Sequence, residues 1–232
     1  MISIITSLYN SDKYLGAFLK YAESVSIEFT KKKVKHEFLI ISNASNDTEK
    51  IILKKLEHND RLLSRIIFCE RESLYATWNR GVREAQYQII TFWNVDDNRF
   101  SEAITEGIEE IKNGAEIVYF PFRYKRYVKI FNIPILAKSV VIRPLEFDKD
   151  KFSREMHCGP FFMVKKDVFN KIGYFDSSFK IAGDFEWLTR AAKNNIKFTL
   201  GKNTAGIFTN DGTGLSGSKN KLQAEENNRI IK

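Results

Sequence analysis

The stretch Ser73–Asp97, SLYATWNRGVREAQYQIITFWNVDD, reads as a helix followed by a strand that ends in two adjacent carboxylates. From Tyr75 to Ala85 it is rich in helix formers, and Trp78, Val82 and Ala85 are spaced to share one buried face. Gln88 to Trp93 is then a short, β-rich apolar run of the kind that forms a strand covered on both sides. It stops abruptly at Asn94-Val95-Asp96-Asp97-Asn98. In open α/β sheets, ligands bind just beyond the carboxyl ends of the strands. Two adjacent carboxylates at such an end repel each other, and a hard divalent cation relieves that repulsion. The same residues are also ordinary turn formers, so a solvated turn is the competing reading.

Upstream, Ile2 to Leu8 (ISIITSL) is a β-branched strand with apolar side chains facing both ways, expected at the centre of a sheet. Tyr9-Asn10-Ser11 breaks it, and Asp12 opens a helix with Leu15, Phe18, Leu19 and Ala22 on one face. Strand, polar turn and helix make the opening of a mononucleotide-binding α/β half. Glu37 to Ser42 is the second strand, running into Asn43-Ala44-Ser45-Asn46-Asp47-Thr48, where Asp47-Thr48-Glu49 reads as a helix cap. Arg65 to Cys69 is the third.

Downstream, Ser101 is expected to cap a helix through Lys112, and Glu116 to Phe122 reads as a strand. Arg123 to Glu155 is long, basic and aromatic, with one strand expected at Ser139 to Ile142; such an irregular insertion is usually functional or mobile. After His157 to Lys166, the run Ile172-Gly173-Tyr174-Phe175-Asp176 leads to Ile181-Ala182-Gly183-Asp184-Phe185-Glu186-Trp187-Leu188, followed by Arg190. Leu188, Ala191 and Ala192 supply an apolar helix face. Asp184 there is either a helix N-cap or a separate reactive carboxylate. Neutral His157 is a weaker alternative base or metal ligand. Short strands at Ile196 to Leu200 and Gly206 to Thr209, a glycine-bearing turn at 212–217 and a polar helix through Ile231 complete the chain.

With 232 residues, 43% of them hydrophobic and 28% charged, the chain has the composition of one globular domain. Only 12 Gly and 4 Pro argue against repeats and low-complexity linkers. A net charge of +8, concentrated at Lys31–Lys35 and at Arg123–Lys129, attracts phosphates or anionic headgroups. No nucleic-acid-binding signature accompanies it, so no nucleic acid is expected as partner. Cys69 and Cys158 match no metal spacing and read as reduced thiols. With no signal-peptide pattern and no apolar run long enough to span a bilayer, the expected location is cytoplasmic, and the basic clusters suit peripheral contact at the inner membrane face.

Tyr75-x-x-Trp78-Asn79-x-Gly81-Val82 followed by Asn94-x-Asp96-Asp97, together with Gly173-x-Phe175-Asp176 and Asp184-x-x-x-x-x-Arg190, resembles inverting glycosyltransferase family 2. More narrowly, it is similar to bacterial surface-polysaccharide members with an N-x-D-D strand end. The resemblance implies a single α/β domain of GT-A type over 1–232, with a Rossmann-like mixed central sheet flanked by helices. A nucleotide-sugar donor half would cover 1–98 and an acceptor half 99–232, with 123–155 as the variable acceptor-side segment.

The implied reaction is metal-dependent transfer of a sugar from a nucleoside diphosphate to a hydroxyl of a glycan or polyprenyl-linked acceptor. Asp184 would be the general base. Asp97 would ligate Mn²⁺ or Mg²⁺ directly, and Asp96 would assist through water or meet the ribose. Thr6, Ser7, Tyr9, Asn43, Tyr75, Asn79, Asn94 and Asp96 would line the donor. UDP is the expected nucleotide, although Ser42 and Asn43 stand where the family carries an acidic pair, one of which recognises uracil. Gly183 likewise replaces a frequent glutamate. These departures keep open a degenerate nucleotide- or carbohydrate-binding module. A sugar-phosphate nucleotidylyltransferase would be expected to carry a basic, Gly-rich loop after the first strand, which Leu8-Tyr9-Asn10-Ser11 is not.

Overall fold

The computed structural model describes residues 1–56, 59–131, 133–212 and 221–231. The first half alternates as expected: β1 (Ile2–Leu8), α1 (Asp12–Lys31), β2 (His36–Asn43), α2 (Asp47–Leu56), β3 (Ser64–Cys69), α3 (Leu74–Glu84) and β4 (Ile89–Phe92). Next come β5 (Asn98–Arg99), α4 (Ser101–Lys112), β6 (Ile117–Tyr119), β7 (Phe122–Ile130), β8 (Ile133–Ile142) and α5 (Lys149–Phe152). The chain continues through β9 (Phe162–Lys165), α6 (Asp167–Ile172), α7 (Gly183–Lys193), β10 (Phe198–Leu200), β11 (Gly206–Asn210) and α8 (Lys221–Ile231).

Among the described residues, seven strands form one sheet in the order β10-β6-β9-β4-β1-β2-β3, in which β9 alone runs against its neighbours. The sheet continues past residue 98, so both halves of the chain hang on it. Period-two alternation sorts the side chains of β1: Ile2, Ile4 and Leu8 enter the core layer under α1 and α4, while Ile5 enters the opposite layer with α3 and α7. Because β1, β2 and β4 are parallel, their carboxyl ends come out along one edge.

A second sheet, ordered β5-β11-β7-β8, stands beside that edge. Its β7–β8 pair is a long antiparallel hairpin, so the segment expected to be irregular after Arg123 is regular as far as Ile142. The strand expected at Ser139–Ile142 begins at Ile133. Glu116–Phe122 is not one strand: β6 ends at Tyr119, and Phe122 opens β7 in the other sheet. Ser101 does not cap α4, since its hydroxyl donates to Glu28 from within the first turn. The cap of α2 is Asn46, which accepts from the Glu49 N–H at 2.9 Å while Glu49 accepts in return from Asn46 N and from Ser11 N. Glu49 therefore ties together the turns that follow β1 and β2.

Candidate active site

The Asp96–Asp97 pair follows β4 on a turn closed by the Asp97 N–H donating to the Asn94 carbonyl at 3.1 Å. Asp97 is only 2% exposed. Its Oδ1 accepts from the Thr209 N–H of β11 at 3.0 Å, and its carbonyl accepts from Trp93 Nε1 at 2.9 Å. The contact with Thr209 requires β11 to lie hard against β5. Gly206 allows this, because a Cβ there would fall 1.9 Å from the Asn98 carbonyl oxygen. Arg99, also buried, donates to the Phe92 carbonyl at 2.8 Å and lies 4.9 Å over the Phe161 ring.

Burial, then the neighbouring Asp96, pushes the Asp97 carboxyl well above the usual range; the Thr209 N–H, Arg99 and Asn94 pull it back. Burial likewise draws the Arg99 guanidinium down to about 9, against the opposing charge of Asp97. Asp96 is half-buried, and its carboxyl is raised by burial and by the charge of Asp211, with Lys13 opposing. Asp211, just past β11, accepts from Lys13 Nζ at 2.5 Å and from Tyr14 Oη at 2.7 Å. Asp211 therefore adds a third carboxylate to this corner. Sequence alone offered no signal for it beyond its place after the last strand.

Asp97, expected as the direct metal ligand, is the inner residue that fastens the turn to the second sheet, whereas Asp96 is the more open of the two. A pair of neighbouring carboxylates, both driven toward protonation by burial and like charge, suits Mg²⁺ or Mn²⁺, which take one or two protein carboxylates and fill the rest with phosphate and water. Among the described residues, no three or more His, Cys, Asp or Glu side chains come together in a group able to hold a metal ion.

Asp184 lies on the second residue of α7, whose N-cap is Ala182, so it is not itself the cap. Its Oδ1 accepts from the Phe185 N–H at 2.9 Å and from Tyr75 Oη at 3.2 Å. Tyr75 is in the first turn of α3, which follows β3, so Asp184 lies at the carboxyl edge of the sheet as well. Burial raises the Asp184 carboxyl, the Phe185 N–H and Tyr75 hydroxyl lower it, and Glu226 raises it further. Gly183 is accounted for by the same contact, because a Cβ there would sit 2.6 Å from the Tyr75 ring.

Sequence reasoning missed Glu226. This α8 residue accepts from the N–H groups of Lys180, Ile181 and Ala182 at 2.8, 3.0 and 2.9 Å, anchoring the segment that leads into Asp184.

Several expected donor contacts have other partners. Tyr75, 1% exposed, donates to the Ile181 carbonyl at 2.6 Å as well as to Asp184, so its hydroxyl braces the start of α7. The Asn79 amide is spent on the Phe175 backbone, donating to its carbonyl at 2.8 Å and accepting from its N–H at 3.0 Å. The Asn43 amide bonds both backbone groups of Glu72 and donates to Thr77 Oγ1, so it latches β2 to the start of α3.

Thr6 is buried, with its hydroxyl unpartnered among the described residues, and Ser7 is half-buried. Tyr9 is 44% exposed at the end of β1, with the Arg71 guanidinium 3.6 Å over its ring. Asn94 is half-buried on the aspartate turn. His157 stacks on Phe152 at 5.2 Å, a packing role. Gly212 takes φ +81°, while the remainder of the expected glycine-bearing turn, from 213, lies outside the described residues.

A sequence profile described as Glycosyl transferase family 2 matches residues 3–173. The chain belongs to that family. Among curated proteins it is 23% identical over 215 residues to Glycosyltransferase AglE of Haloferax volcanii, an alignment covering 88% of this chain and 66% of the relative. Among solved structures it is similar to S. aureus TarS 1-349 in complex with UDP-GlcNAc, with TM-score 0.75 and 17% identity over 99% of this chain and 65% of that one. It is also similar to mannosyltransferase PcManGT from Pyrobaculum calidifontis in complex with GDP-Man and Mn²⁺, with TM-score 0.67 and 16% identity over 92% of this chain and 58% of that one. The chain thus spans two thirds or less of the length of each of these relatives. The structural likeness establishes the fold, a mixed α/β domain of GT-A type.

Proposed function

We propose that this chain transfers a glycosyl group, with inversion, from a nucleoside-diphosphate sugar to an acceptor hydroxyl. The observation that carries the reading is the division of acids along one sheet edge of a family 2 chain. A coupled aspartate pair lies after β4, and a separate carboxylate, braced by Tyr75, lies at the start of α7. Residues 1–98 form the donor half, where Tyr9, Ser7 and Thr6 at the end of β1 line the nucleoside and Asn94 and Asp96 face the diphosphate. Residues 99–232 form the acceptor half.

Asp96, supported by Asp97, would hold Mg²⁺ or Mn²⁺, which when bound offsets the negative charge that builds on the departing diphosphate. Asp184 takes the proton of the acceptor hydroxyl as it attacks the anomeric carbon from the face opposite that diphosphate. Tyr75 keeps its carboxylate oriented, and partial burial keeps it basic. UDP is the first nucleotide to test, because relatives have been solved with UDP-GlcNAc as well as with GDP-Man. A glycan or polyprenyl-linked glycan of a surface polysaccharide is the acceptor class.

The test is release of nucleoside diphosphate from a panel of nucleotide sugars, with Mn²⁺ and glycoside acceptors, by wild type and Asp184→Asn. Loss of the base should slow acceptor-dependent release about 10²- to 10⁴-fold while leaving donor affinity in place. A variant as active as wild type would remove Asp184 from this role.

A further inference from the structure

From Phe122 to Arg143 the chain carries six basic residues (Arg123, Lys125, Arg126, Lys129, Lys138 and Arg143) and no acidic one. None of the six is paired with a carboxylate among the described residues. The same segment is the β7–β8 hairpin, and all ten residues of β8 are exposed. Apolar side chains crowd its outer end: Ile130 is 49% exposed, Phe131 95%, Ile133 64% and Leu136 49%. Phe131 also occupies the turn with φ +48°, a place where two-residue hairpins ordinarily use Asn or Gly. A fully exposed phenylalanine there contributes nothing to the fold of the chain itself.

The hairpin is fixed at its base and free at its tip. Parallel pairing with β11 holds β7 from Arg123 to Arg126, and Asn210 donates to Tyr124 Oη at 3.1 Å, one residue from Thr209 and its bond to Asp97. Beyond Arg126 the ladder skips Ala137, a bulge that re-aims the strands. The outer four residues of each strand then pair only with each other, a reach of about 14 Å past the last β11 contact at the usual strand rise.

We propose that this hairpin docks the chain on an anionic lipid bilayer, with Phe131 and its aliphatic neighbours entering the interface and the basic residues meeting headgroup phosphates. Apolar insertion combined with positive charge is the chemistry of interfacial membrane binding. Charge complementarity selects this occupant. A second copy would bring another six cations against these without a single acid to meet them, and Pro134 lacks the N–H that edge-to-edge pairing would use. The docking stands apart from the proposed reaction, although it would hold the aspartate turn close to lipid-borne acceptors.

The experiment is vesicle flotation with phosphatidylcholine alone or mixed with phosphatidylglycerol, at low and high salt. It compares wild type, Arg126→Ala/Lys129→Ala/Lys138→Ala and Phe131→Ser/Ile133→Ser. Wild type should float only with anionic vesicles and release as salt rises. Each basic residue near such a surface is worth about fivefold in binding, so the triple variant should lose about a hundredfold. The tip variant should lose about tenfold or more, with an unchanged thermal midpoint because its side chains are exposed. Failure of wild type to float with anionic vesicles would overturn the proposal, as would equal flotation of the triple variant. A wild-type dimer that Phe131→Ser/Ile133→Ser splits into monomers would do the same.

Discussion

Replacing Glu226 with glutamine removes the one carboxylate that satisfies three consecutive backbone N–H groups ahead of the α7 start. The best-placed amide oxygen keeps Ile181 and Ala182, but its NH₂ then faces the Lys180 N–H, donor against donor. Hydrogen bonds to a charged acceptor are worth about 1.5–3 kcal/mol and neutral ones about 1 kcal/mol. Two weakened bonds, about 0.5–2 kcal/mol each, and one orphaned donor, about 1–3 kcal/mol, therefore total about 2–7 kcal/mol at a side chain only 4% exposed.

Urea unfolding should show that loss as a lower midpoint at unchanged slope. The amides of 180–182 should also exchange faster. Burial pushes the Glu226 carboxyl up, but the three N–H donors and Arg229 outweigh it and hold it below the ordinary value. A depressed carboxyl stabilises above its unfolded value, about 4.3, and that contribution fades as pH falls through the folded value. The gap between wild type and Glu226→Gln should therefore close in acid. A neutral-pH difference under about 0.5 kcal/mol, or a gap indifferent to acid, would refute the anchoring role.

The structure carries three further expectations. Tyr75→Phe removes a hydrogen bond that lowers the Asp184 carboxyl, so the acid limb of the pH–rate profile should move to higher pH; the orphaned Ile181 carbonyl should cost about 1–2 kcal/mol in thermal unfolding. Gly183→Glu should destabilise by about 1–3 kcal/mol because its Cβ meets the Tyr75 ring. Asn79→Ala should lose about 2–4 kcal/mol with nucleotide affinity retained, whereas a donor-contacting Asn79 would show the reverse.

The alternating half of the fold was legible because Ile2–Leu8, Glu37–Ser42 and Gln88–Trp93 are apolar runs that end in turn formers. The hairpin was not. Its turn has no Asn-Gly, its exposed face is apolar, and the bulge at Ala137 breaks the period-two pattern that would reveal a strand. At the site, the aspartate pair and Asp184 could be picked out as chemistry-bearing residues, but their surroundings could not. Asn43 and Asn79 bond backbone 29 and 96 residues away, and Glu226 reaches back 44 to 46. No local spacing encodes such partners. Sequence shows that Asp96 and Asp97 are adjacent but not how deep each lies; Gly206 and Thr209, brought in on β11, make Asp97 the inner member of the pair.

On the proposed function, this sheet edge holds a nucleoside diphosphate through a divalent cation on the Asp96–Asp97 pair. Thermal unfolding with UDP, GDP, dTDP and CMP, each with Mn²⁺ or EDTA, on wild type and Asp96→Ala reads that binding, since Asp96 can be removed without opening the buried Asp97 contacts. At a hundred times its dissociation constant, a ligand adds about 2.7 kcal/mol, or roughly 5–10 °C for a domain of this size. That shift is expected for one diphosphate with Mn²⁺, together with its loss in EDTA and in Asp96→Ala. No shift with any nucleotide, or one indifferent to EDTA and to Asp96, would contradict it.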